Sequence, residues 1–508
     1  MMLDDHIERA RAAWSNVGLA VAVVHSTEVL YAQGFGVKAL ASPARITPAT
    51  LFQVGSTTKA FTAAVLGVLV DEGRIDWDDP ISSHLPEFQL HDPWLTQHLT
   101  IRDAVAHRSG IPHSYPPFLS VMDSDSVVSQ LRYIEPVAAY RDSFVYSNLM
   151  YAALGKVIET VTHETWNDFV GRRLLSPLEM NRSGTSPYEF WNAQFVAPTF
   201  LGSAPAREID IAHARDANVA LPHGCDEHGS VVSLPWQSYD NAAAAGSIVS
   251  SAADMANWLI LHLNEGCFKG RQLLTKATLR ELHAPQNPHA GTMQFPFEAS
   301  LTGYAMGWWR TRYRGHTHLV HSGTIIGSPA YVALLPDPKM GVVVLSNGSR
   351  LLPNGVALHK AIALTVFDSL LGVPPRDWVQ ELSDQADNAQ RQVQEQEAEL
   401  SHARLSSALP SLSLERYTGF FEDQRGHSGP LDVRLQEGRL VMSFAGEGAF
   451  SAHLEHWHRD VFRLRPKAGV AEILGPSFVT FTLNPRGRVI SLSAFESLFQ
   501  RVPQQPTP

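Results

Sequence analysis

Cysteine is nearly absent: Cys225 and Cys267 are the only two in 508 residues. Two cysteines cannot build a disulfide framework for a chain of this length, which fits a reducing compartment. Lysine is scarce as well, at eight, no basic tract occurs, and the net charge is −10. Nucleic acid is therefore not an expected partner, because phosphate backbones are held by a Lys/Arg footprint. Nothing approaches the ~18 consecutive apolar residues of a membrane span. The opening MMLDDHIERARAAW is acidic and polar, where a secretory signal is basic and then apolar. The expectation is a cytoplasmic protein with no membrane span. No internal repeat is found.

What remains is ordinary globular material: 44% hydrophobic, 18% charged and 9% aromatic. That supplies large cores, and the length points to two or three domains. Leu19–Val24 and Glu28–Gly36 read as a hairpin, and Ser56–Asp71 as a helix with Phe61, Val65, Val68 and Leu69 at helical spacing, ended by Gly73. A mostly helical stretch follows. Thr100 precedes IRDAVAH, Asn148 opens a helix to about Thr162, Glu164–Leu175 continues until Pro177, and Ser251 with Asp254 starts a helix ending near Gly266. From Gly303 to Asn347 the period becomes two, as in an antiparallel sheet, and Gly355–Leu371 reads as an apolar closing helix. Strands at both ends of a helical middle make this an α+β pattern, one sheet assembled from both termini with a helical insertion.

Composition divides the chain into residues 1–371, a polar helical linker over 372–410 that reads as solvated, and an all-β unit over 411–508. The last contains LDVRLQ, RLVMSF, VFRLRP, FVTFTLN and VISLSAF between turns at Glu437-Gly438 and Pro485-Arg486-Gly487. A small sandwich or barrel accounts for it.

Chemistry concentrates in three places. Ser56-Thr57-Thr58-Lys59 stands at a helix start, where residues three apart are neighbours and Lys59 leans back over Ser56. A hydroxyl needs a base beside it, and burial or a helix N-terminus lowers a lysine pKa enough to serve. With 43 serines and eight lysines, chance alone supplies about 0.7 such motifs, so the motif needs company. Tyr146-Ser147-Asn148 lies at a loop-to-helix junction; the phenol can pass a proton and the carboxamide can grip a substrate amide. On its own Tyr146 reads equally as a packed aromatic. His321-Ser322-Gly323 falls on a strand, where Gly323 lets a ligand approach and His321 offers a donor or a switchable charge. A metal reading of GHTHLVH fails because His316 and His318 share one strand face and His321 the other. His223 and His228 around Cys225 lack a partner spacing. No metal or cofactor is expected.

The ordered set S-x-x-K, Y-x-N and H-x-G resembles the serine β-lactamase and penicillin-binding-protein superfamily. It is similar above all to the class C-like branch that includes D-aminopeptidases and family VIII carboxylesterases. Supporting matches are HRSGIP at His107–Pro112, NAAAAGSIVSSAADMANWL at Asn241–Leu259 and GYAMGWW before the strand block. The region with ERYTGFF and LEHWHRDVF resembles the lipocalin-like barrel often appended to that branch. The resemblance implies an acyl-enzyme on Ser56, with Lys59 accepting its proton and Tyr146 serving the leaving group and then water. It further implies that Asn148 orients substrate and that the backbone N–H groups of Ser56 and Thr324 form an oxyanion hole. Members with strong lactamase or transpeptidase activity carry Lys-Thr-Gly where this chain has His321-Ser322-Gly323, so an ammonium for a substrate carboxylate is missing. H-x-G is similar to the D-aminopeptidase pattern. The expected function is a serine peptidase or amidase on small peptides or amides. The alternatives are a carboxylesterase and a non-catalytic scaffold or sensor, and oligomeric state is left open.

Overall fold

A computed structural model describes residues 3–40, 42–113, 121–198, 210–226, 230–290, 301–348, 356–405, 407–423, 430–444, 449–466, 474 and 476–503. Helix α1 (Leu3–Ala13) leads into the hairpin β1 (Gly18–His25) and β2 (Glu28–Gly36). The helical middle contains α2 (Thr58–Asp71), α3 (Asn148–Thr162) and α4 (Ala252–Leu263). Five strands then return: β3 (Leu301–Tyr304), β4 (Trp309–Tyr313), β5 (His316–Ile325), β6 (Ser328–Leu335) and β7 (Met340–Ser346). They form one antiparallel sheet in the order β3-β4-β5-β6-β7-β1-β2. The first strand thus pairs with the last, Leu19 opposite Ser346 and Val23 opposite Val342.

The continuous apolar runs of β1, β6 and β7 follow from burial on both sheet faces. Ala20, Ala22 and Val24 pack with α2, α3 and α4. Leu19, Val21 and Val23 pack on the opposite face with α1 and α5 (Ala357–Leu370). Helix α2 is buried on nearly every side from Thr58 to Leu69, as expected of a helix apolar all round. A lysine on such a helix has no solvated face to occupy. Among the described residues no helix is long and apolar enough to cross a membrane.

Local departures from the sequence reading have physical causes. Ser56 sits on a tight turn over Gly55–Thr57 just before α2 begins, because Gly55 adopts a left-handed φ of +52° that a helix does not tolerate. The segment after Glu164 is helical over Trp166–Val170 and then widens, with Ser176 N–H bonding Gly171 O. The start of the closing helix near Gly355 and the residue His228 lie outside the described residues.

Helix α6 (Trp378–His402) occupies the polar segment. Its first turns are not solvated: Trp378, Val379 and Leu382 are buried against α1 and α5, Trp378 Nε1 donates to Asp368 at 2.8 Å, and Arg9 pairs with Asp377 at 2.6 Å. At the other end Glu397 accepts from Arg463 at 2.6 Å and Arg404 Nε donates to Trp457 O at 2.9 Å. Eight strands, β8 (Gly419–Asp423), β9 (Leu431–Gln436), β10 (Arg439–Phe444), β11 (Ser451–His458), β12 (Val461–Pro466), β13 (Phe478–Leu483), β14 (Val489–Ala494) and β15 (Ser497–Val502), close into a barrel. Phe421, Met442, Phe444, Phe462, Phe481 and Phe499 are buried in its core, so side chains fill the interior, as the width of an eight-stranded barrel allows.

Candidate active site

The strand Leu51–Gln53 delivers the chain to Gly55, whose left-handed turn sets Ser56 at the head of α2. One turn on, Lys59 is fully buried. Its Nζ lies 3.1 Å from Ser56 Oγ and donates to Ala245 O at 2.8 Å. The rings of Tyr146 and Tyr151 stand 4.8 and 5.2 Å from the same nitrogen. Burial holds the Lys59 pKa well below its ordinary 10.5.

Tyr146 lies near the end of an irregular strap, residues 134–147, that leads into α3, and its half-buried phenol is hydrogen-bonded to Ser56. Burial raises the phenol pKa above its ordinary 10.0, and the bond to Ser56 opposes that rise only in part. Asn148 opens α3. Its Nδ2 donates to Tyr239 Oη at 2.9 Å, while its Oδ1 is buried without a hydrogen-bond partner. Ser56, Lys59 and Tyr146 thus meet at one hydroxyl, with Asn148 beside them at the helix start.

The third motif approaches from β5. A side chain on Gly323 would put Cβ 1.9 Å from Val54 O and 3.1 Å from Ser56 N, and one on Gly55 would lie 2.8 Å from Thr324 N. The two glycines therefore let the strand and the Ser56 turn touch backbone to backbone. Thr324 follows as an exposed residue. His321 is placed differently from the open donor the sequence suggests: it is 2% exposed. Its Nδ1 faces Ser322 O at 2.7 Å and its Nε2 faces Tyr304 Oη at 3.0 Å. A carbonyl only accepts, so Nδ1 carries the proton and Nε2 accepts from the tyrosine. Burial first, then the nearby Lys59, lowers the His321 pKa to about 3, so the ring is neutral with both nitrogens engaged.

Several neighbours of these side chains were not singled out as site residues from the sequence. Ala245 acts through its carbonyl, which no residue type reveals. Tyr239, Tyr151 and Tyr304 come from separate segments, Tyr304 within the GYAMGWW match. His107, in HRSGIP, accepts the Ser147 N–H at Nδ1 over 3.1 Å and sets its ring 4.3 Å from that of Tyr146. His223 bonds Asn347 O at 2.6 Å and Leu40 N at 3.3 Å, so both its nitrogens are engaged. Among the described residues no three His, Cys, Asp or Glu side chains gather as metal ligands.

The family described as Beta-lactamase matches residues 3–367. A domain of unknown function, DUF3471, matches residues 403–505. Unguisins hydrolase of Aspergillus violaceofuscus is 30% identical over 406 residues, covering 75% of this chain and 68% of its own. The octameric penicillin-binding protein homologue from Pyrococcus abyssi superposes with a TM-score of 0.61 at 21% identity, over 98% of each chain. A D-stereospecific amidohydrolase from Streptomyces superposes at 0.52 with 22% identity, over 69% of this chain and 95% of its own. At these identities the structures speak for the fold alone. The family match extends over most of the chain and contains Ser56, Lys59, Tyr146, Asn148 and His321-Ser322-Gly323: the chain belongs to the beta-lactamase family and is a serine hydrolase.

Proposed function

We propose that Ser56 is the nucleophile of an acyl-transfer reaction on small peptides or amides, with Lys59 as base and Tyr146 as acid. One observation carries this reading: the two groups that converge on Ser56 are driven in opposite senses by the same burial. Lys59 moves toward the neutral amine and Tyr146 toward the neutral phenol. A pair pushed apart in this way divides the acid and base roles at neutral pH. The neutral amine donates one N–H to Ala245 O and offers its lone pair to the Ser56 hydroxyl.

As Ser56 Oγ bonds to the substrate carbonyl carbon, its proton passes to Lys59. The developing oxyanion lies against the N–H groups of Ser56 and Thr324. Collapse breaks the bond to the leaving group, which takes the Tyr146 proton, and the Lys59 ammonium returns one to the tyrosine. Water then enters where the leaving group stood. Its proton passes to Tyr146 as the phenol proton passes to Lys59, and hydroxide displaces Ser56, which recovers its proton from Lys59. Both groups end as they began.

Two features point the substrate toward amides. Asn148 Oδ1 is an acceptor without a partner, a match for a substrate N–H that an ester lacks. The neutral, engaged His321 offers no fixed cation, so an uncharged group suits that end better than a carboxylate. The name of the Streptomyces amidohydrolase fits the same class, and H-x-G favours a D-aminopeptidase-like preference. The division into a hydrolase unit over 1–371, a linker over 372–410 and an accessory unit over 411–508 belongs to the same reading.

The test is hydrolysis of a matched ester and anilide carrying one acyl group, with Ser56→Ala alongside. Turnover lost in the variant, and an anilide rate within reach of the ester rate, is the expected result. A Ser56→Ala protein as active as the wild type sinks the assignment, and turnover of the ester alone would make the chain an esterase.

A further inference from the structure

Asn287 lies outside every motif described above, on the connection between the helix Lys276–His283 and β3. Its side chain is fully buried. The two hydrogens on its Nδ2 serve three carbonyls, one of them shared: Ala106 O at 3.1 Å, His107 O at 3.3 Å and Ser143 O at 3.0 Å. The first two belong to the turn that carries His107, a non-glycine residue at a left-handed φ of +56°. The third belongs to the strap that ends at Tyr146. Oδ1 is held in turn by the N–H of His289 at 3.0 Å, which fixes the orientation of the carboxamide.

The strap touches the His107 turn at three further points. Arg141 N–H bonds Arg108 O at 2.9 Å, Val145 N–H bonds His107 O at 3.1 Å, and Ser147 N–H bonds His107 Nδ1 at 3.1 Å. Asn287 closes this seam from the side, its carboxamide bonding carbonyls on both edges. Its backbone reaches the other half of the site. Asn287 N–H bonds Tyr304 O at 2.9 Å, Tyr304 N–H bonds Asn287 O at 2.8 Å, and Tyr304 Oη bonds His321 on β5. One residue therefore registers the Tyr146 strap against the strand that presents Gly323 and Thr324.

We propose that Asn287 is a positioning residue for the reaction, acting through Tyr146. The inference rests on the reading of Tyr146 as the acid that protonates the leaving group. Without the carboxamide, the Ser143 carbonyl loses its donor and the phenol loses its fixed distance to the leaving atom. A poor leaving group feels that loss, whereas p-nitrophenolate departs without a proton. A residue that only supports the fold would lower both rates alike.

The experiment measures kcat/KM of Asn287→Ala and Asn287→Ser on an anilide and a p-nitrophenyl ester of the same acyl group, with Tyr146→Phe as reference. Circular dichroism and thermal melts verify folding. General acid catalysis contributes about 100-fold or more, so the anilide rate of Asn287→Ala should fall by at least about 30-fold while the ester rate stays within about threefold. Asn287→Ser, which keeps one donor, should fall between. Equal losses on the two substrates, no loss on either, or failure of both Asn287 variants to fold would each overturn the proposal. If Tyr146→Phe itself loses both substrates equally, the reading of Tyr146 fails and the inference falls with it. Selectivity in Tyr146→Phe but not in Asn287→Ala condemns the inference alone.

Discussion

Lys59 Nζ stands 3.1 Å from Ser56 Oγ on a helix that leaves the lysine fully buried. Burial is the cause of its lowered pKa, and the sign of the pH dependence follows. On the proposed mechanism the neutral amine is the reactive form, so kcat/KM should rise with pH through a midpoint well below 10.5 and then level off. The Tyr146 phenol titrates above its ordinary 10.0, so no falling limb from it should appear below that pH. A profile still climbing at pH 10, as for an ordinary lysine, would refute the neutral-amine base.

The same burial costs stability. An unfolded chain protonates Lys59 up to pH 10.5, whereas the folded chain holds it neutral over a lower range. The unfolded state then binds the extra proton, and stability rises with pH across that window. Lys59→Met should abolish hydrolysis yet stabilise the fold by about 1–2 kcal/mol at neutral pH, as exchanges at functional sites often do. Denaturant titrations at pH 7 and pH 10 check both parts. The gain should shrink at the higher pH, and a less stable methionine variant at pH 7 would contradict the account.

Gly323→Ala tests the contact between β5 and the Ser56 turn. Its Cβ would meet Val54 O at 1.9 Å, backbone that cannot swing aside, so the strand must retreat. Loss of one oxyanion donor costs about 100- to 1000-fold in rate, and kcat/KM should fall by that order even where a thermal melt shows a folded protein. An alanine variant with wild-type kcat/KM would mean that the strand does not serve the oxyanion.

Much of this site was legible because its chemistry is local. Ser56 and Lys59 are three residues apart on one helix start, and the rule that such residues are neighbours needs no tertiary knowledge. The sheet was legible from the β-rich runs between turns after Gly303, although β6 and β7, buried on both faces, do not follow the expected period of two. His321 shows where local reasoning stops: alternation gives the face of a strand but not what packs on it, and Tyr304, on β3 at the far side of β4, closes off the imidazole. Ala245 O and Asn287 escape for a related reason, one being backbone and the other a lone amide between elements. The polar helix α6 read as solvated because composition averages over its length, while the docking is concentrated in Trp378, Val379 and Leu382 at its first turns.

His321→Lys asks whether restoring a lysine at the third motif restores a carboxylate site. The ring is 2% exposed with both nitrogens engaged, so an ammonium there would stand buried beside Lys59 without a counter-ion. Such a charge costs several kcal/mol. The variant should melt at lower temperature and show no preference for substrates with a carboxylate. A stable variant that favours them would show the pocket to be more open than its hydrogen bonds indicate.

Asp103 ties down the same strap from the other end. Its carboxylate is fully buried and accepts from Arg108 Nε at 2.8 Å, Arg141 Nη2 at 2.8 Å, Thr100 Oγ1 at 2.7 Å and the Tyr140 hydroxyl. Burial alone would raise its pKa, but the bonds from Arg141, Tyr140 and Thr100 and the charge of Arg108 overcome it, leaving a pKa of about 2 against an ordinary 3.8. A carboxylate with a depressed folded pKa contributes stability that is complete above the unfolded value and fades as pH falls through the folded one. Asp103→Asn leaves two guanidinium groups facing a neutral amide, and breaking a buried pair costs about 3–5 kcal/mol. Urea denaturation at pH 7 should show a deficit of that order, and the gap between variant and wild type should narrow as the pH approaches 2. A deficit that stays constant between pH 7 and pH 2 would mean that the asparagine harms packing rather than charge, and the electrostatic account of the strap would have to be abandoned.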